Sequence, residues 1–346
     1  MRRHLISAAG EIQKNAYHLP QEVADVLDRA EADVLAVRDK KGGGEARDVK
    51  SVLLNVMDMI DEAHANQGQL TGLGTGVMDL DDLTGGFRPG QFIVLAARPS
   101  QGKTTLGLNM LLNICDVQRQ PAALFSMEMP AEQIVANMLC MKNRLDTKRF
   151  RTGNLEENEW ARLESSIQDM EDMPLYIDDT PALRVLDFRA RARRLVRRYG
   201  VKFIVVDYLQ LMRAERRTEN RAVEVAMISS GIKALAREAE VPVMAIAQLN
   251  RRVEQENRYP RMSDLRESGA IEQDADAILL LHRPTDPAAQ EEDGDGPPMG
   301  GEAPRDGSLA DLLLAKQRNG PTGMARLVFF GQYLRFEPRA SQGVNP

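Results

Sequence analysis

The stretch "VLAARPSQGKTT", residues Val94–Thr105, decides the fold because it has the form of a phosphate-binding loop between a strand and a helix. Residues 92–96 are apolar, as in a short buried strand, and residues 104–114 are good helix formers. The usual pattern G-x-x-x-x-G-K-[ST] has a glycine where this chain has Ala97. Alanine there requires only a turn at negative φ, whereas Gly102 lets the backbone approach a ligand closely. The sequence thus predicts a nucleotide site, and the alternative is an ordinary strand–helix turn.

The predicted loop carries the groups that hold the phosphates of a nucleotide. Successive backbone N–H groups and the N-terminus of the following helix bind phosphate oxygens. Lys103 would reach the outer phosphates, and the Thr104 hydroxyl would bind Mg²⁺. The residues of this loop that we expect to bind nucleotide are Arg98, Ser100, Gln101, Gly102, Lys103, Thr104 and Thr105.

Length and composition bound the class of protein. The chain has 346 residues, of which 43% are hydrophobic, enough for one large α/β domain and an appendage. No apolar run approaches the roughly 18 residues of a membrane span, and residues 1–6 lack the apolar core of a signal peptide. We therefore expect a soluble cytoplasmic protein without membrane contact. Cys115 and Cys140 lie in apolar helical patterns, which predicts buried side chains without disulfide or metal roles.

Residues 1–70 are helical in pattern and differ in character from the rest of the chain. A helix at about 21–39 carries a narrow apolar stripe that needs a partner, either the main domain or another subunit. The residues of this stripe are Val23, Leu27, Ala30, Val34 and Val37. At the other end of the chain, residues 338–346 are predicted to form a flexible tail.

Residues 71–337 alternate strands with helices, which predicts a mainly parallel twisted sheet covered by helices on both faces. The predicted strands are 92–97, 121–126, 174–178, 203–207, 242–247, 276–282, 309–315 and 324–330. Residues 283–306 are rich in proline, glycine and acid, which indicates a mobile surface loop.

Polar side chains follow three of the predicted strands. The carboxyl ends of parallel strands form the edge of the sheet where ligands bind. We therefore expect Asp207 to order Mg²⁺, Glu128 to act as base toward an attacking water, and Gln248 to sense the γ-phosphate. Simpler alternatives are that Glu128 starts a helix and that Gln248 bonds to a loop. Asp178 and Asp179 precede a proline and are expected to form a turn.

Two segments, Arg213–Arg221 and Asn250–Arg266, carry more arginines than acids, although the net charge of the chain is −6. Such loops are usually only solvated, so DNA contact is one of two alternatives. An aromatic content of 5% favours contacts to phosphates over base stacking. The arginines of residues 188–198 are expected to cover the solvent face of a helix.

Lys316 and Arg318 precede an Asn319-Gly320 hairpin turn. Because they are two residues apart, they would point the same way on extended backbone. They are either a surface feature or a pair of charges that reaches a γ-phosphate.

Six motifs occur in order along the chain: "AARPSQGKTT", "FSMEMPAEQ", "VVDYLQLM", "IAQLNR", "DLRESGAIEQDAD" and "AKQRNGPTG". Together they resemble the replicative DNA helicases of the DnaB type over about residues 1–337. In that family the first glycine of the loop is often alanine. The resemblance implies a RecA-like P-loop ATPase domain and a homo-hexameric ring. It also implies that ATP hydrolysis with Mg²⁺ drives movement along single-stranded DNA and unwinding of the duplex at replication forks.

The resemblance implies roles for individual residues. It gives the roles inferred above to Lys103, Thr104, Glu128, Asp207 and Gln248. Lys316 and Arg318 would be donated to the site of the neighbouring subunit. Arg266, Glu267 and Gly269 lie in the DNA-gripping loop of the family, and we add Arg221 from the other basic segment. The helix at 21–39 would be the linker helix that docks on the next subunit.

Further expectations concern partners and alternatives. Members of the family carry an additional helical domain before the linker, and this chain begins almost at the linker. Primase and a helicase loader are the protein partners that the resemblance implies. It also implies a bacterial or phage protein that works in the cytoplasm, at the nucleoid. The alternative function is a RecA-fold ATPase of recombinase or clock type, which assembles on DNA or protein without unwinding. A third possible function is that of a binding module that uses nucleotide only as a structural ligand.

Overall fold

The computed structural model describes residues 2–17, 30, 48–50, 53, 56–57, 60–61, 70–214, 220–250, 258–265, 269–284 and 307–339. The chain divides into two units, Met1–Gln69 and Leu70–Pro346. The first unit contains helix α1, Arg2–Tyr17. Apart from Ala30, the predicted docking helix at 21–39 lies outside the described residues, as does most of the predicted loop at 283–306.

Within the described part of the second unit, nine strands form one sheet in the order β3-β2-β4-β5-β1-β6-β7-β8-β9. The strands are β1 (Phe92–Ala97), β2 (Ala122–Ser126), β3 (Leu175–Asp178), β4 (Phe203–Asp207), β5 (Val243–Gln248), β6 (Ala277–His282), β7 (Ser308–Gln317), β8 (Gly323–Phe330) and β9 (Arg335–Pro338). Strands β1 to β6 pair in parallel, and β7 to β9 are added antiparallel at one side. The predicted mainly parallel sheet is confirmed.

Helices cover the sheet on both faces. They are α2 (Met78–Thr84), α3 (Lys103–Leu112), α4 (Ala131–Asn143), α5 (Thr147–Thr152), α6 (Glu157–Glu171), α7 (Val185–Tyr199), α8 (Arg221–Ala239) and α9 (Gly269–Asp274). Helix α3 continues into one π-helical turn, Asn113–Val117. No helix among these described residues is both long enough and apolar enough to cross a membrane.

Strand β1 lies at the centre of the sheet, and all six of its residues are buried. Successive side chains of a strand point to opposite faces. Phe92 and Val94 belong to the core that also contains residues of α7 and α8, whereas Ile93 and Leu95 belong to the core that contains residues of α3 and α4. A continuous apolar run is therefore required, because neither face of β1 meets water.

The structure also departs from the sequence-based expectations. Strand β9 was not predicted, and its last residue, Pro338, lies inside the segment expected to be a tail. Arg221 begins helix α8 rather than lying in a loop. In α7, Arg194, Arg197 and Arg198 are exposed as expected, whereas three other arginines form ion pairs. These pairs join Arg189 and Arg193 to Glu238, and Arg191 to Asp178.

Candidate nucleotide site

The parallel strands bring the predicted site residues to one edge of the sheet. Asp207 ends β4 and Gln248 ends β5. Glu128 lies two residues beyond the end of β2, and Lys103 begins α3 after the loop that leaves β1. These strands run in the same direction, so their carboxyl ends share the edge at which open α/β sheets bind ligands.

The phosphate-binding loop has the backbone that close ligand approach requires. Gly102 caps α3 with φ of 92°, a left-handed conformation that suits glycine. A Cβ at this position would lie 2.9 Å from Phe336 Cζ, so a side chain is excluded sterically as well. Ala97 is the last residue of strand β1, as predicted, and it has no positive φ, which agrees with the conformation expected for alanine there. Ser100 takes the other left-handed position of the loop, with φ of 64°.

The loop is fixed to the two strands that flank β1. Arg98 Nη1 donates to Leu249 O at 3.2 Å, just beyond β5. Arg283, just beyond β6, donates from its backbone N–H to Gln101 Oε1 at 2.9 Å and from Nη1 to Ser100 O at 3.3 Å. The loop is therefore held in shape by its own chain.

Lys103 lies among acids at this edge. Its Nζ is 3.7 Å from Glu128 Oε2, 3.7 Å from Asp207 Oδ1 and 4.5 Å from the centroid of the Tyr208 ring. The side chain of Lys103 is only 12% exposed, so its charge is largely removed from water and is stabilised by nearby anions or ring faces. A bound phosphate group would also stabilise the positive charge of Lys103.

Asp207 is the most buried acid of the site, with 1% of the residue exposed. Its Oδ2 accepts a hydrogen bond of 2.7 Å from Thr104 Oγ1, whereas the buried Oδ1 has no hydrogen-bond partner among the described residues and lies 3.7 Å from Lys103 Nζ. Burial raises the pKa of Asp207, although Lys103 and the Thr104 hydroxyl favour its ionised form. A cation next to Oδ1 would offset this burial cost. A carboxylate and a hydroxyl are also the hard oxygen ligands that Mg²⁺ prefers, so these residues fit that ion.

Glu128 lies in the turn between β2 and α4, with its side chain 53% exposed. Ser126 Oγ donates to Met129 O at 2.7 Å and accepts from Met129 N at 3.2 Å, which fixes this turn. Helix α4 begins only at Ala131, and the backbone N–H of that residue donates to Asp179 Oδ2. Glu128 therefore lies outside the helix, and its carboxylate is exposed to solvent.

Gln248 is held through a residue that sequence reasoning missed. Gln210 Oε1 accepts from Gln248 N at 3.3 Å, and Gln210 Nε2 donates to Gln248 O at 3.5 Å. The backbone carbonyl of Gln210 accepts in turn from Arg221 Nη2, and Arg221 Nη1 donates to Glu224. Gln210 stands three residues after Asp207 in the motif "VVDYLQLM", which is the signal that could have marked it.

The predicted DNA-contacting loop is described only in part. Arg266 and Glu267 lie outside the described residues, and Gly269 begins α9. Before the gap, Asn250 N donates to Asp264 O at 2.8 Å, which returns the chain to the end of β5. Arg258, one of the arginines of this basic segment, donates two hydrogen bonds of 2.7 and 2.9 Å to Asp264. That arginine therefore supports the loop from within.

Lys316 and Arg318, here called the cationic pair, both reach α9. Strand β7 ends at Gln317, so Arg318 lies one residue beyond the extended backbone that the sequence suggested. Lys316 Nζ donates to the carbonyls of Glu272 and Ala275, and Arg318 Nη2 donates to Gln273 O at 3.0 Å. Burial and the charge of Arg318 lower the pKa of Lys316.

The cationic pair lies at the edge of the sheet opposite Lys103. Arg318 N donates to Asp276 O at 2.8 Å, and Asp276 N donates to Phe92 O at 2.8 Å, at the start of β1. The phosphate-binding loop begins after Ala97, five residue steps further on, or about 16 Å along a strand. Arg318 is therefore placed away from the Lys103 of its own chain.

Comparisons with known proteins agree with this arrangement. A family model for the DnaB-like helicase C-terminal domain matches residues 72–338. The chain belongs to the DnaB-like helicase family. The replicative DNA helicase DnaB of Geobacillus stearothermophilus is 40% identical over 336 residues, which cover 96% of this chain and 71% of that protein. The DnaB of Haemophilus influenzae is 41% identical over 349 residues, which cover 98% and 72%.

Solved structures share the fold. A DnaB-like replicative helicase, described with its interactions with primase, matches with a TM-score of 0.80 and 26% identity over 97% of this chain and 75% of that one. The solved ATPase domain of a second protein matches with a TM-score of 0.75 and 28% identity over 86% of this chain and 100% of that domain. The predicted DnaB resemblance and the predicted RecA-like ATPase fold are confirmed.

Proposed function

We propose that this chain is the ATP-hydrolysing motor of a replicative DNA helicase, with residues 71–337 as the motor and residues 1–70 as a linker segment. The observation that carries this proposal is the meeting of Lys103, Glu128 and the Thr104–Asp207 pair at one edge of a parallel sheet. Membership of the DnaB-like helicase family supports the coupling of this site to DNA. It does not favour the recombinase or clock alternative.

ATP would bind with its phosphates in the loop. The fixed left-handed backbone at Ser100 and Gly102 would present N–H groups to the phosphate oxygens, and Lys103 would neutralise the outer phosphates. Arg98 and Gln101 hold the loop in shape, and Thr105 lies in the first turn of α3. Because the chain itself supplies these contacts, the loop would need little reorganisation when ATP binds.

Hydrolysis would use the acids at the strand ends. Thr104 and Asp207 would hold Mg²⁺, which when bound would neutralise charge on the phosphate oxygens. Glu128, which is open to solvent, would take the proton of the attacking water. Gln248 would sense the γ-phosphate from the end of β5, with its backbone held by Gln210. Glu128, Asp207 and Gln248 would thus act on the γ-phosphate from positions at or just beyond the ends of the adjacent strands β2, β4 and β5.

The cationic pair would complete the site of a neighbouring copy. Lys316 and Arg318 lie at the opposite edge of the sheet from Lys103, so one chain cannot supply both halves of its own site. In a ring of copies, the edge that carries Arg318 can face the edge that carries Lys103. We therefore propose a homo-hexamer in which Arg318 acts as an arginine finger in trans.

DNA would pass the loops that follow β4 and β5. Arg266, Glu267 and Gly269 are the proposed contacts to single-stranded DNA, and Arg221 is proposed to support them from the start of α8. Primase and a loader are proposed protein partners, and replication in the cytoplasm, at the nucleoid, is the proposed location. These assignments rest on family membership and on the motifs.

The experiment that tests the function is strand displacement on a forked duplex, with ATP and Mg²⁺. The chain should separate the strands, and Glu128→Gln should bind ATP without separating them. Robust DNA-stimulated ATP turnover without strand separation, at protein concentrations that support a ring, would instead favour an ATPase that assembles on DNA without unwinding it.

A further inference from the structure

Asp276 is a buried acid that the proposed mechanism does not use. Its side chain is 12% exposed, and it lies between the end of α9 and the start of β6. Oδ2 accepts from Phe92 N at 2.8 Å and from Lys233 Nζ. Oδ1 lies 3.3 Å from Arg318 Nη1. One carboxylate thus joins the first residue of the central strand to the cationic pair.

The contacts of Asp276 make it a rigid support. Phe92 is fully buried, and the N–H of its backbone is fixed by the sheet. Lys233 Nζ, which contacts Asp276, also donates to Gly90 O at 3.2 Å, so this ammonium group is itself held in position. Asp276 therefore has little freedom to follow Arg318, and Arg318 has to conform to Asp276.

Among the residues that the structure describes, Arg318 keeps one side open to a second molecule. Its side chain is 51% exposed and lines an open cleft of about 190 Å³. Asp276 takes Nη1, and Gln273 O takes Nη2, both on the side that faces its own chain. A guanidinium has five N–H donors in a fixed plane, so donors remain for an anion brought up from the cleft.

We propose that Asp276 is a positioning residue for the arginine finger and acts on the ATP site of the neighbouring subunit rather than on its own. The inference rests on the proposed function in trans of Arg318. An unrestrained arginine side chain loses much rotamer freedom when it binds an anion, and a preorganised donor loses less. Asp276 and α9 together hold Lys316 and Arg318 in one orientation before the neighbour's phosphate arrives.

The test is Asp276→Asn in the full chain, which removes the charge and keeps the shape. The turnover number for ATP should fall by up to about 10²-fold, as expected when a catalytic group is misplaced. KM for ATP should change little, because the phosphate-binding loop of each chain is intact. Glu238→Gln is the matched control, since it also removes an acid that pairs with two cations, Arg189 and Arg193, and none of these three residues lines the cleft.

Mixing variants distinguishes an action in trans from an action in cis. Asp276→Asn mixed with Lys103→Ala should regain turnover, because the first chain retains the loop and the second retains a correctly held finger. Asp276→Asn mixed with Arg318→Ala should regain none, because both lack a working finger. If Asp276→Asn gains nothing from Lys103→Ala while Arg318→Ala does, Asp276 serves its own site and the inference is wrong.

Two further measurements keep the result interpretable. If Asp276→Asn unfolds because Lys233 loses its counter-ion, the double change with Lys233→Gln removes both buried charges and is tested in the same mixtures. If neither Asp276→Asn nor Arg318→Ala regains turnover when mixed with Lys103→Ala, the arrangement in trans fails. The proposed function of Arg318 and the inference about Asp276 are then both overturned.

Discussion

Thr104 Oγ1 donates a 2.7 Å hydrogen bond to Asp207 Oδ2, which joins two residues 103 positions apart in the chain. The first turn of α3 is thereby connected to the end of β4. Within the described part of the chain, Asp207 Oδ1 is buried without a hydrogen-bond partner, and burial raises the pKa of this carboxyl. A buried acid with one oxygen unsatisfied costs folding free energy, and the arrangement gains from a cation at that oxygen.

Asp207→Asn should therefore separate stability from activity. The amide oxygen of Asn can still accept from Thr104, and the buried negative charge is gone, so the free energy of unfolding without nucleotide should not fall. Turnover of ATP with Mg²⁺ should fall by at least about 10²-fold, because the carboxylate no longer holds the ion. Urea unfolding and steady-state turnover measure the two effects. Turnover near the wild-type rate would exclude Asp207 as the residue that orders Mg²⁺.

Glu128→Gln should leave ATP bound and unhydrolysed. The substitution keeps the size of the side chain and removes the base, a change worth about 10²- to 10⁴-fold in rate. Glu132→Gln, in the first turn of α4, is the matched control and should turn over ATP normally. Binding of a fluorescent ATP analogue and single-turnover hydrolysis measure the two steps. Normal hydrolysis by Glu128→Gln would assign the base to another acid.

The sequence predicts the central sheet well for a physical reason. A strand covered on both faces is apolar along its whole length, so "FIVLAA" at Phe92–Ala97 is readable without its neighbours. Strand β9 was missed because it has only four residues, ends at Pro338 and is placed by pairing with β8. Its assignment depends on contacts between segments, which local patterns do not carry.

The candidate site shows the same contrast between features that local sequence reveals and features that depend on contacts between distant segments. Lys103 is marked by its loop motif, and Glu128 and Asp207 by their positions after strands; the structure places each of these two acids within 4 Å of Lys103. Asp276 was assigned only to the start of a strand, because its partner Phe92 is 184 positions away in the chain. Gln210 and Gln248 are separated by 38 positions. Such supporting residues become visible only after the fold is known.

Arg258→Gln should lower stability in a pH-dependent way. Hydrogen bonds from Arg258 hold the pKa of Asp264 below its ordinary value of 3.8. A lowered pKa contributes stability that is present above pH 3.8 and is lost as the pH falls through the lowered value. Wild-type chain should therefore unfold at higher urea than Arg258→Gln at neutral pH, and the difference should shrink below pH 3.8. Arg144→Gln, which breaks the more exposed pair with Glu337, is the control and should have a smaller effect. An equal difference at both pH values would contradict this assignment.

Gly269→Ala should weaken binding to single-stranded DNA without weakening the fold. A Cβ at Gly269 would meet no atom of the described residues within 4 Å, so the stability should be unchanged or slightly higher. A close approach of the DNA backbone to this residue would be blocked. Fluorescence anisotropy at several salt concentrations measures the affinity.

The same titrations check how the DNA is read. Wild-type affinity should fall steeply with salt and differ little between single strands of equal length and flexibility, because the proposed contacts are made to phosphates. Unchanged affinity for Gly269→Ala, or a strong preference for one sequence, would contradict the proposed DNA contact.

The central claim is that each ATP site is shared between two copies of the chain. Arg318→Ala alone should reduce ATP turnover by about 10³-fold or more, the scale of an arginine finger, and Lys103→Ala alone should abolish ATP binding. Mixed at high protein concentration with single-stranded DNA, the two variants should regain turnover, since some interfaces then combine an intact Lys103 with an intact Arg318. Near-normal turnover by Arg318→Ala alone, with no gain on mixing under these conditions, would contradict the account.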